Sequence, residues 1–293
     1  MSGFFGGRSQ PRPKICPSCG NLVGSVATRC PQCGANVRFS LAAVSRSLGQ
    51  FLPTASPATY GFLTICCVIF AVSFLATFAK NGGITMSGGG ISALLNFGAI
   101  DGNVLIRLGA SLPWPIDLLQ PWRLVTAVFL HASILHILFN MWVLMDIGPQ
   151  IEELYGSARF LFIYVVSGIG GYILSSFFGH FTVGASGAIL GLCGVVLAVT
   201  IGSRNAQAQM FRAYVVRLLV YVAILGFLPF GALALDNWAH FGGLVTGFIL
   251  GKILTDRAPA SPEERKRAYA MGWGAALVVV ASFVMTGLIA LGK

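Results

Sequence analysis

Residues 124–145 read LVTAVFLHASILHILFNMWVLM, a stretch without a single acidic or basic side chain of the Asp, Glu, Lys or Arg type. A helix needs about 20 mostly apolar residues to cross the roughly 30 Å hydrocarbon layer of a bilayer. The stretch is therefore long enough to span a membrane, although it contains His131, His136 and Asn140. Polar groups at that depth are costly, which makes each of them a candidate functional residue.

Six further apolar stretches accompany this one along the chain. The protein has 293 residues, of which 56% are hydrophobic and 10% charged, and its mean hydropathy is +0.80. Soluble domains carry about 25% charged residues, so an ordinary soluble fold is excluded. The sequence predicts an all-α polytopic membrane protein with seven spans, numbered first to seventh in chain order: residues 60–79, 124–145, 160–178, 183–201, 218–235, 237–251 and 268–292.

The lysines and arginines predict the orientation of the chain. With a cytoplasmic N-terminus, fifteen of the 19 basic residues lie in cytoplasmic segments and four lie outside. Cytoplasmic loops of membrane proteins carry an excess of Lys and Arg, so we expect the N-terminus inside and the C-terminus outside, in a prokaryotic plasma membrane. The basic run at residues 265–267 is then a solvated flank of the seventh span and not a nucleic-acid patch.

Two cysteine pairs precede the spans, as Cys16-Pro-Ser-Cys19-Gly and Cys30-Pro-Gln-Cys33-Gly. Each pair aims two thiolates at one point, and four such sulfurs form a closed tetrahedral site for structural zinc. Two disulfides or a redox pair are the alternatives, but a reducing cytoplasm and the lack of a βαβ pattern disfavour both. Residues 1–39 are predicted to be a cytoplasmic zinc ribbon, and residues 40–59 a linker.

Basic residues close to these cysteines leave the partner of the ribbon open. Some zinc ribbons bind nucleic acid, but basic side chains at this position also offset the negative charge of a Cys₄ zinc centre. We favour the second interpretation, with a cytoplasmic protein as the partner if the ribbon binds one. The basic residues concerned are Arg12, Lys14, Arg29 and Arg38.

His136 and Asn140 of the second span differ by 40° around a helix and share one face, whereas His131 lies about 140° from His136. A two-histidine metal face is therefore not expected within this helix. Both residues on the shared face are hydrogen-bond donors, which suits the stabilisation of an oxyanion. A structural hydrogen bond to a neighbouring helix is the alternative for either side chain.

The fourth and sixth spans open on glycine-rich motifs with one reactive residue each. Gly184-Ala-Ser186-Gly187 puts a serine at a helix N-terminus, where free N–H groups favour developing negative charge. In the sixth span, His240 precedes Gly243 and Gly247, whose spacing lets another helix approach closely. In the predicted topology the polar residues of the second, fourth and sixth spans share one depth, just below the outer surface.

With these motifs in place, the sequence resembles the rhomboid intramembrane serine proteases over roughly residues 52–254. Several motifs in the same order make the resemblance specific. The seventh span resembles the extra C-terminal helix of the six-plus-one members. The matching motifs are Trp122-Arg123, the run from His131 through His136 to Asn140, Glu152 with Gly156, Gly184-Ala-Ser186-Gly187, and Ala239-His240-Phe-Gly-Gly243-Leu-Val-Thr-Gly247.

The resemblance implies a rhomboid core at residues 60–254, followed by a basic loop and seventh span at residues 255–293. It implies Ser186 as nucleophile and His240 as general base. The oxyanion hole would be lined by His136, by Asn140 and by the backbone N–H of Ser186. Glu152 would be a structural hydrogen-bond centre. The implied substrates are transmembrane segments of other proteins in the lipid bilayer, cut near their outer ends, without a cofactor for catalysis.

Two features of the sequence qualify this resemblance. Asp236 lies one helical turn before His240 and could orient the imidazole as a third member, although the family does not need one. Many members have an aromatic residue four positions after the serine, where this chain has Leu190.

An inactive helix-binding relative would normally lack the serine or the histidine, and a transporter would be expected to show inverted repeats, which we do not find.

Overall fold

The computed structural model describes residues 14–15, 22–24, 27–34, 56–85, 96–227 and 235–292. The chain divides into two compact units, Met1–Thr54 and Ala55–Lys293. Cys16 and Cys19, two of the predicted zinc ligands, lie outside the described residues, as does most of the predicted linker.

The described part of the first unit contains one short antiparallel hairpin. Strands β1 (Lys14–Ile15) and β2 (Leu22–Val23) pair with Lys14 opposite Val23. Val23 and Cys30 are buried together, with Ala27 packed against them. In the sequence, the first cysteine pair thus lies between the two strands and the second pair follows them.

The described part of the second unit is built from helices. Trp122 precedes a short helix that continues into a 3₁₀ turn at Ala127–Phe129. The helices are α1 (Pro57–Asn81), α2 (Gly102–Arg107), α3 (Ile116–Leu119), α4 (Arg123–Thr126), α5 (Ile134–Tyr155), α6 (Ser157–Phe177), α7 (Ser186–Thr200), α8 (Ala206–Phe227), α9 (Asn237–Ile253) and α10 (Pro262–Leu291).

Five of these helices, namely α1, α5, α6, α8 and α10, are long and apolar enough to cross a membrane. The shorter α7 and α9 coincide with the fourth and sixth predicted spans. The prediction of an all-helical, multi-pass membrane protein is therefore confirmed.

The second span was predicted wrongly at both ends. Its helix, α5, runs from Ile134 to Tyr155, so it begins ten residues after the predicted start and ends ten residues after the predicted end. The physical reason is Ser133, whose hydroxyl accepts the N–H of His136 at 3.3 Å and caps the helix there. Residues 124–133 instead form α4, the 3₁₀ turn and an extended segment, so apolar composition alone placed the helix too early.

The fifth span begins at Ala206, twelve residues before the predicted start. Asn205 caps it by accepting the N–H groups of Gln207 and Ala208 at 2.8 and 3.2 Å. The first turns carry polar residues, which a search for uninterrupted apolar sequence leaves out.

Glu152 connects the last turn of α5 to the first turn of α1. Its carboxylate accepts the N–H groups of Ala58 and Thr59 at 2.9 and 2.8 Å, and the Thr59 hydroxyl at 2.7 Å. The first N–H groups of a helix have no partner within the helix, and a buried carboxylate needs donors. Each group satisfies the other, and the resemblance to the rhomboid proteases implies such a structural role for Glu152.

Helix α7 has 15 residues and is therefore only about 22 Å long, shorter than the hydrocarbon layer. Its last carbonyl groups would be left without donors inside the bilayer. Lys252 of α9 donates to Ala198 O at 2.6 Å, and Arg212 of α8 donates to Thr200 O at 2.9 Å. Two long basic side chains from the neighbouring helices thus donate hydrogen bonds to the last turn of the short helix.

We expect Lys252→Met to lower the free energy of unfolding by about 1–3 kcal/mol, because the Ala198 carbonyl loses its donor. Lys252→Arg keeps a donor and should retain most of the stability. The matched control is Lys266→Met, which removes an exposed cation from α10. Thermal unfolding of the full chain in one detergent compares the variants, and equal destabilisation by the two methionine substitutions would contradict this interpretation.

Candidate functional site

Ser186 and His240 meet at the N-terminal ends of two adjacent helices. Ser186 is the first residue of α7, and His240 lies in the opening turns of α9. The Oγ of Ser186 is 2.8 Å from Nε2 of His240, whose side chain is buried. This is the distance at which an imidazole nitrogen accepts the proton of a serine hydroxyl.

Glycines bring α7 and α9 into backbone contact below this pair. A Cβ on Gly243 would overlap the carbonyl oxygen of Gly187, and a Cβ on Gly247 would overlap that of Gly191. Both helices carry their glycines four residues apart, so the contact repeats after one turn. Ser186 directly precedes the first of these glycines, so the helix contact determines how closely the serine approaches the histidine.

Asp236 does not act on the imidazole of His240 in this structure. Its Oδ1 accepts the N–H groups of Trp238 and Ala239 at 3.0 and 2.9 Å, which caps α9. Its Oδ2 accepts the hydroxyl of Ser175 in α6. The Nδ1 of His240 has no hydrogen-bond partner among the described residues. The described side chains therefore form a pair and not a triad.

Tyr172 of α6 holds the segment that leads into α7. Its hydroxyl donates to Gly184 O at 2.7 Å and lies 3.2 Å from Ala127 O, which also accepts the N–H of Gly184 at 3.0 Å. Sequence analysis missed Tyr172, although a tyrosine hydroxyl within a span needs a partner and is a detectable signal.

His136 projects from the first turn of α5 toward Gly184. A Cβ on Gly184 would lie 2.7 Å from Nε2 of His136 and 3.8 Å from the Oγ of Ser186. The Nδ1 of His136 accepts the N–H of Ala132 at 3.4 Å, so a neutral imidazole carries its proton on Nε2. That nitrogen is a donor beside the serine.

Asn140 lies one turn further along α5 and donates one amide hydrogen to His136 O at 2.8 Å. The amide group has a second hydrogen to donate. His131 lies outside α5, and its ring centroid is 5.2 Å from that of His136. The predicted angular separation of the two histidines on one helix was therefore wrong, because the helix begins only after Ser133.

Leu190 occupies the turn after Ser186 and lines a cavity of about 320 Å³ together with His240. The other lining residues are almost all apolar and come from α8 and α9. Leu190 occupies the position that is aromatic in many rhomboid proteases, and this position thus borders the cavity.

Arg123 follows Trp122 and ties together the segment that precedes α5. Its guanidinium donates to Ile106 O and Ala110 O at 2.9 and 3.0 Å, and to the side chain of Gln120 at 2.6 Å. Nearby, burial raises the pKa of Asp117, although its carboxylate accepts bonds from Ser111 Oγ and Leu112 N. These contacts hold the segment in place and contribute no group to Ser186.

The second cysteine pair forms a tight turn. Cys30 is buried and Cys33 exposed, and Gly34 donates its N–H to Cys30 O at 2.9 Å from a left-handed conformation with φ of +70°. This turn suits two thiolates that share a ligand. Within the part of the chain that the structure describes, no group of three or more His, Cys, Asp or Glu residues could hold a metal ion.

The fold and the site define a polytopic helical membrane protein with a serine–histidine pair whose histidine is buried. Residues 118–257 match the Rhomboid domain family. This match confirms the resemblance inferred from the motifs of the sequence.

Three curated relatives are similar to this chain over the same region. "RHOMBOID-like protein 6, mitochondrial" of Arabidopsis thaliana is 38% identical over 177 residues, 58% of this chain and 56% of the relative. "Rhomboid protease GluP" of Bacillus subtilis is 37% identical over 162 residues, 55% of this chain and 31% of the relative. "Rhomboid-like protease 1" of Toxoplasma gondii is 35% identical over 157 residues, 52% of this chain and 53% of the relative. The chain thus spans about half the length, or less, of these relatives.

Gly247→Ala is expected to separate α7 from α9, since its Cβ would overlap the Gly191 carbonyl oxygen. Overpacking of this kind costs about 1–3 kcal/mol, and backbone atoms yield less readily than side chains. We expect at least about a tenfold loss of any activity that needs both Ser186 and His240. Gly274→Ala in α10, where a Cβ meets nothing within 4 Å, is the control. Equal activity and unfolding temperature in the two variants would refute the argument.

Proposed function

We propose that this protein is an intramembrane serine endopeptidase that cuts transmembrane segments of other proteins with a Ser186–His240 dyad. The observation that carries the proposal is the 2.8 Å contact between Ser186 Oγ and His240 Nε2 at the ends of two membrane helices. The names of the relatives from Bacillus subtilis and Toxoplasma gondii, both called proteases, support it.

In the proposed reaction, His240 Nε2 takes the proton of Ser186 while Oγ attacks the carbonyl carbon of the substrate peptide bond. The resulting tetrahedral intermediate collapses, and the imidazolium returns the proton to the leaving amine. A water molecule then loses a proton to His240 and attacks the acyl-enzyme, which releases the carboxylic acid and restores the Ser186 hydroxyl. The dyad thus cycles without a metal or an organic cofactor.

The negative charge of the tetrahedral intermediate would fall among donors that are already oriented. Nε2–H of His136 lies beside Gly184, and the N–H of Ser186 is an unpaired group at the start of α7. The second amide hydrogen of Asn140 is the third donor in the proposal. Donors fixed before the reaction stabilise charge without reorganisation, and each is worth about 10²–10³ in rate.

Transmembrane helices are the substrate class because the dyad lies at membrane depth. A helix has its amide groups bonded internally, so its carbonyl groups are shielded until it unwinds locally. We therefore expect a scissile bond near the end of the substrate helix that faces the N-termini of α5, α7 and α9. The charge distribution orients that end outward, with the N-terminus of the protease cytoplasmic. The prokaryotic plasma membrane stays a prediction, since the matched relatives include plant and bacterial proteins.

The test is cleavage of a labelled single-span substrate by the full chain in liposomes. Wild type should cut near the outer end of the span, and Ser186→Ala should lower the rate at least about a thousandfold. Chelator should leave the rate unchanged. Cleavage by Ser186→Ala at the wild-type rate would overturn the dyad. No cleavage of several helix-destabilised substrates would favour an inactive helix-binding protein instead.

We propose in addition that the first unit is a ribbon in which Cys16, Cys19, Cys30 and Cys33 hold one structural zinc ion. The hairpin β1–β2 and the turn at Gly34 support this proposal, because zinc ribbons place each cysteine pair in such a turn. The zinc would join the two turns and take no part in proteolysis. A cytoplasmic protein is the proposed partner of the ribbon.

Zinc content of the full chain, purified without chelator, tests the metal site. Cys30→Ser and Cys33→Ser should each lose the zinc, because a closed site needs all four sulfurs. Cys67→Ser, which changes an exposed cysteine of α1, should keep it. Zinc-free wild-type protein would contradict the proposal, and a mass lower by two hydrogens per cysteine pair would indicate disulfides.

A further inference from the structure

Helix α10 lies outside the matched Rhomboid domain, which ends at residue 257, but it contacts the 3₁₀ turn of the core. The ring of Phe283 in α10 packs edge-on against that of Phe129, with centroids 5.7 Å apart and an interplanar angle of 63°. Phe129 is fully buried and ends the turn Ala127–Phe129. The extra helix therefore covers part of the turn directly.

A second contact from α10 lies one turn further along. The hydroxyl of Thr286 is 3.1 Å from the position that a Cβ on Gly109 would occupy. Thr126, directly before the 3₁₀ turn, donates its hydroxyl to Gly109 O at 2.6 Å. The Thr286 hydroxyl itself donates to Ser282 O at 3.0 Å, so it contributes packing and not a hydrogen bond to the Gly109 backbone.

The same turn holds the segment that carries the serine. The carbonyl of Ala127 accepts the N–H of Gly184 at 3.0 Å, and the hydroxyl of Tyr172 donates to the carbonyl of the same residue at 2.7 Å. Gly184 is two residues before Ser186. Unbroken packing and hydrogen bonding thus connects Phe283 with the start of α7.

We propose that α10 is a positioning element for Ser186, acting through Phe283 on the turn Ala127–Phe129. The catalytic part of this inference rests on the proposed function. A displacement of about 1 Å at a reacting group can cost 10²-fold in rate, so a loosened turn reduces kcat without reducing substrate affinity. Phe129 also contacts Phe62 of α1, at a centroid distance of 5.9 Å, so loss of Phe283 loosens the turn and leaves a second aromatic neighbour in place.

The experiment compares Phe283→Ala and Phe283→Leu with Val284→Ala in the full chain. Val284 is the next residue of α10 and is 54% exposed, which makes it a control for changes in α10 itself. Two readouts are measured: kcat and KM for the single-span substrate in liposomes, and hydrogen exchange of the Gly184 amide in detergent. If Phe283→Ala does not fold, because loss of a partly buried aromatic ring is costly, Phe283→Leu carries the test.

We expect kcat to fall about tenfold in Phe283→Ala and a few-fold in Phe283→Leu, with KM unchanged and faster exchange at Gly184. Val284→Ala should behave like wild type in both readouts. Combined with Tyr172→Phe, Phe283→Leu should show less than the product of the two separate losses, because both act on the segment before Ser186. Independent sites that share no partner would be additive.

The inference would be overturned if both Phe283 variants had the kcat and the Gly184 amide exchange rate of wild type. The proposed protease function would then still stand. A rise in KM with kcat unchanged would overturn the inference as well, since it would place Phe283 in substrate binding. If wild type itself does not cleave, the proposed function fails, and the exchange of the Gly184 amide still decides whether α10 holds the segment before Ser186.

Discussion

The contact between the backbones of α7 and α9 determines the geometry of the site. In a bilayer, helices gain little from hydrophobic association, so close packing and hydrogen bonds hold them together. Gly243 and Gly247 of α9 lie against the carbonyl groups of Gly187 and Gly191 of α7, with no space for a Cβ on either α9 glycine. Because Ser186 and His240 lie at one end of this contact, the distance between their side chains follows from the distance between the two helix axes.

A second constraint follows from the length of α7. The helix starts at Ser186 and stops at Thr200. Its first turn leaves free N–H groups beside Ser186, and its last turn leaves carbonyl groups that need donors. Lys252 and Arg212 supply those donors. The same short helix thus presents N–H groups at one end and accepts hydrogen bonds from basic side chains at the other.

Much of this arrangement could be predicted from the sequence, because intramembrane polar residues are rare and costly. Ser186, His240 and His136 were chosen on that ground, and the structure places them together at the N-terminal ends of α7, α9 and α5. The position of Glu152 could be anticipated through the family resemblance. Helix boundaries were harder, since Ser133 and Asn205 cap helices by local hydrogen bonds that apolar composition does not register.

Other contacts had no readable sequence signal, since they depend on which distant segments meet. The hydrogen bond from Tyr172 to Gly184 joins two spans, and the packing of Phe283 on Phe129 joins residues far apart in the chain. Asp236 shows the limit of helical spacing: its position one turn before His240 left a third catalytic member open, but both carboxylate oxygens are used in capping α9 and bonding Ser175. Spacing along one helix shows which residues share a face, and only the packing shows what that face meets.

The late start of α5 connects these observations. Because the helix begins at Ile134, His136 lies in its first turn, level with Ser186 in the first residue of α7 and with His240 in the opening turns of α9. Three helix N-termini therefore converge on one point, where Ser133 and Asp236 cap α5 and α9. His136 meets Ser186 there beside Gly184, and His240 meets Ser186 through its Nε2. Had α5 begun at residue 124, His136 would lie more than three turns inside the helix, and its donor would not reach the N-terminus of α7.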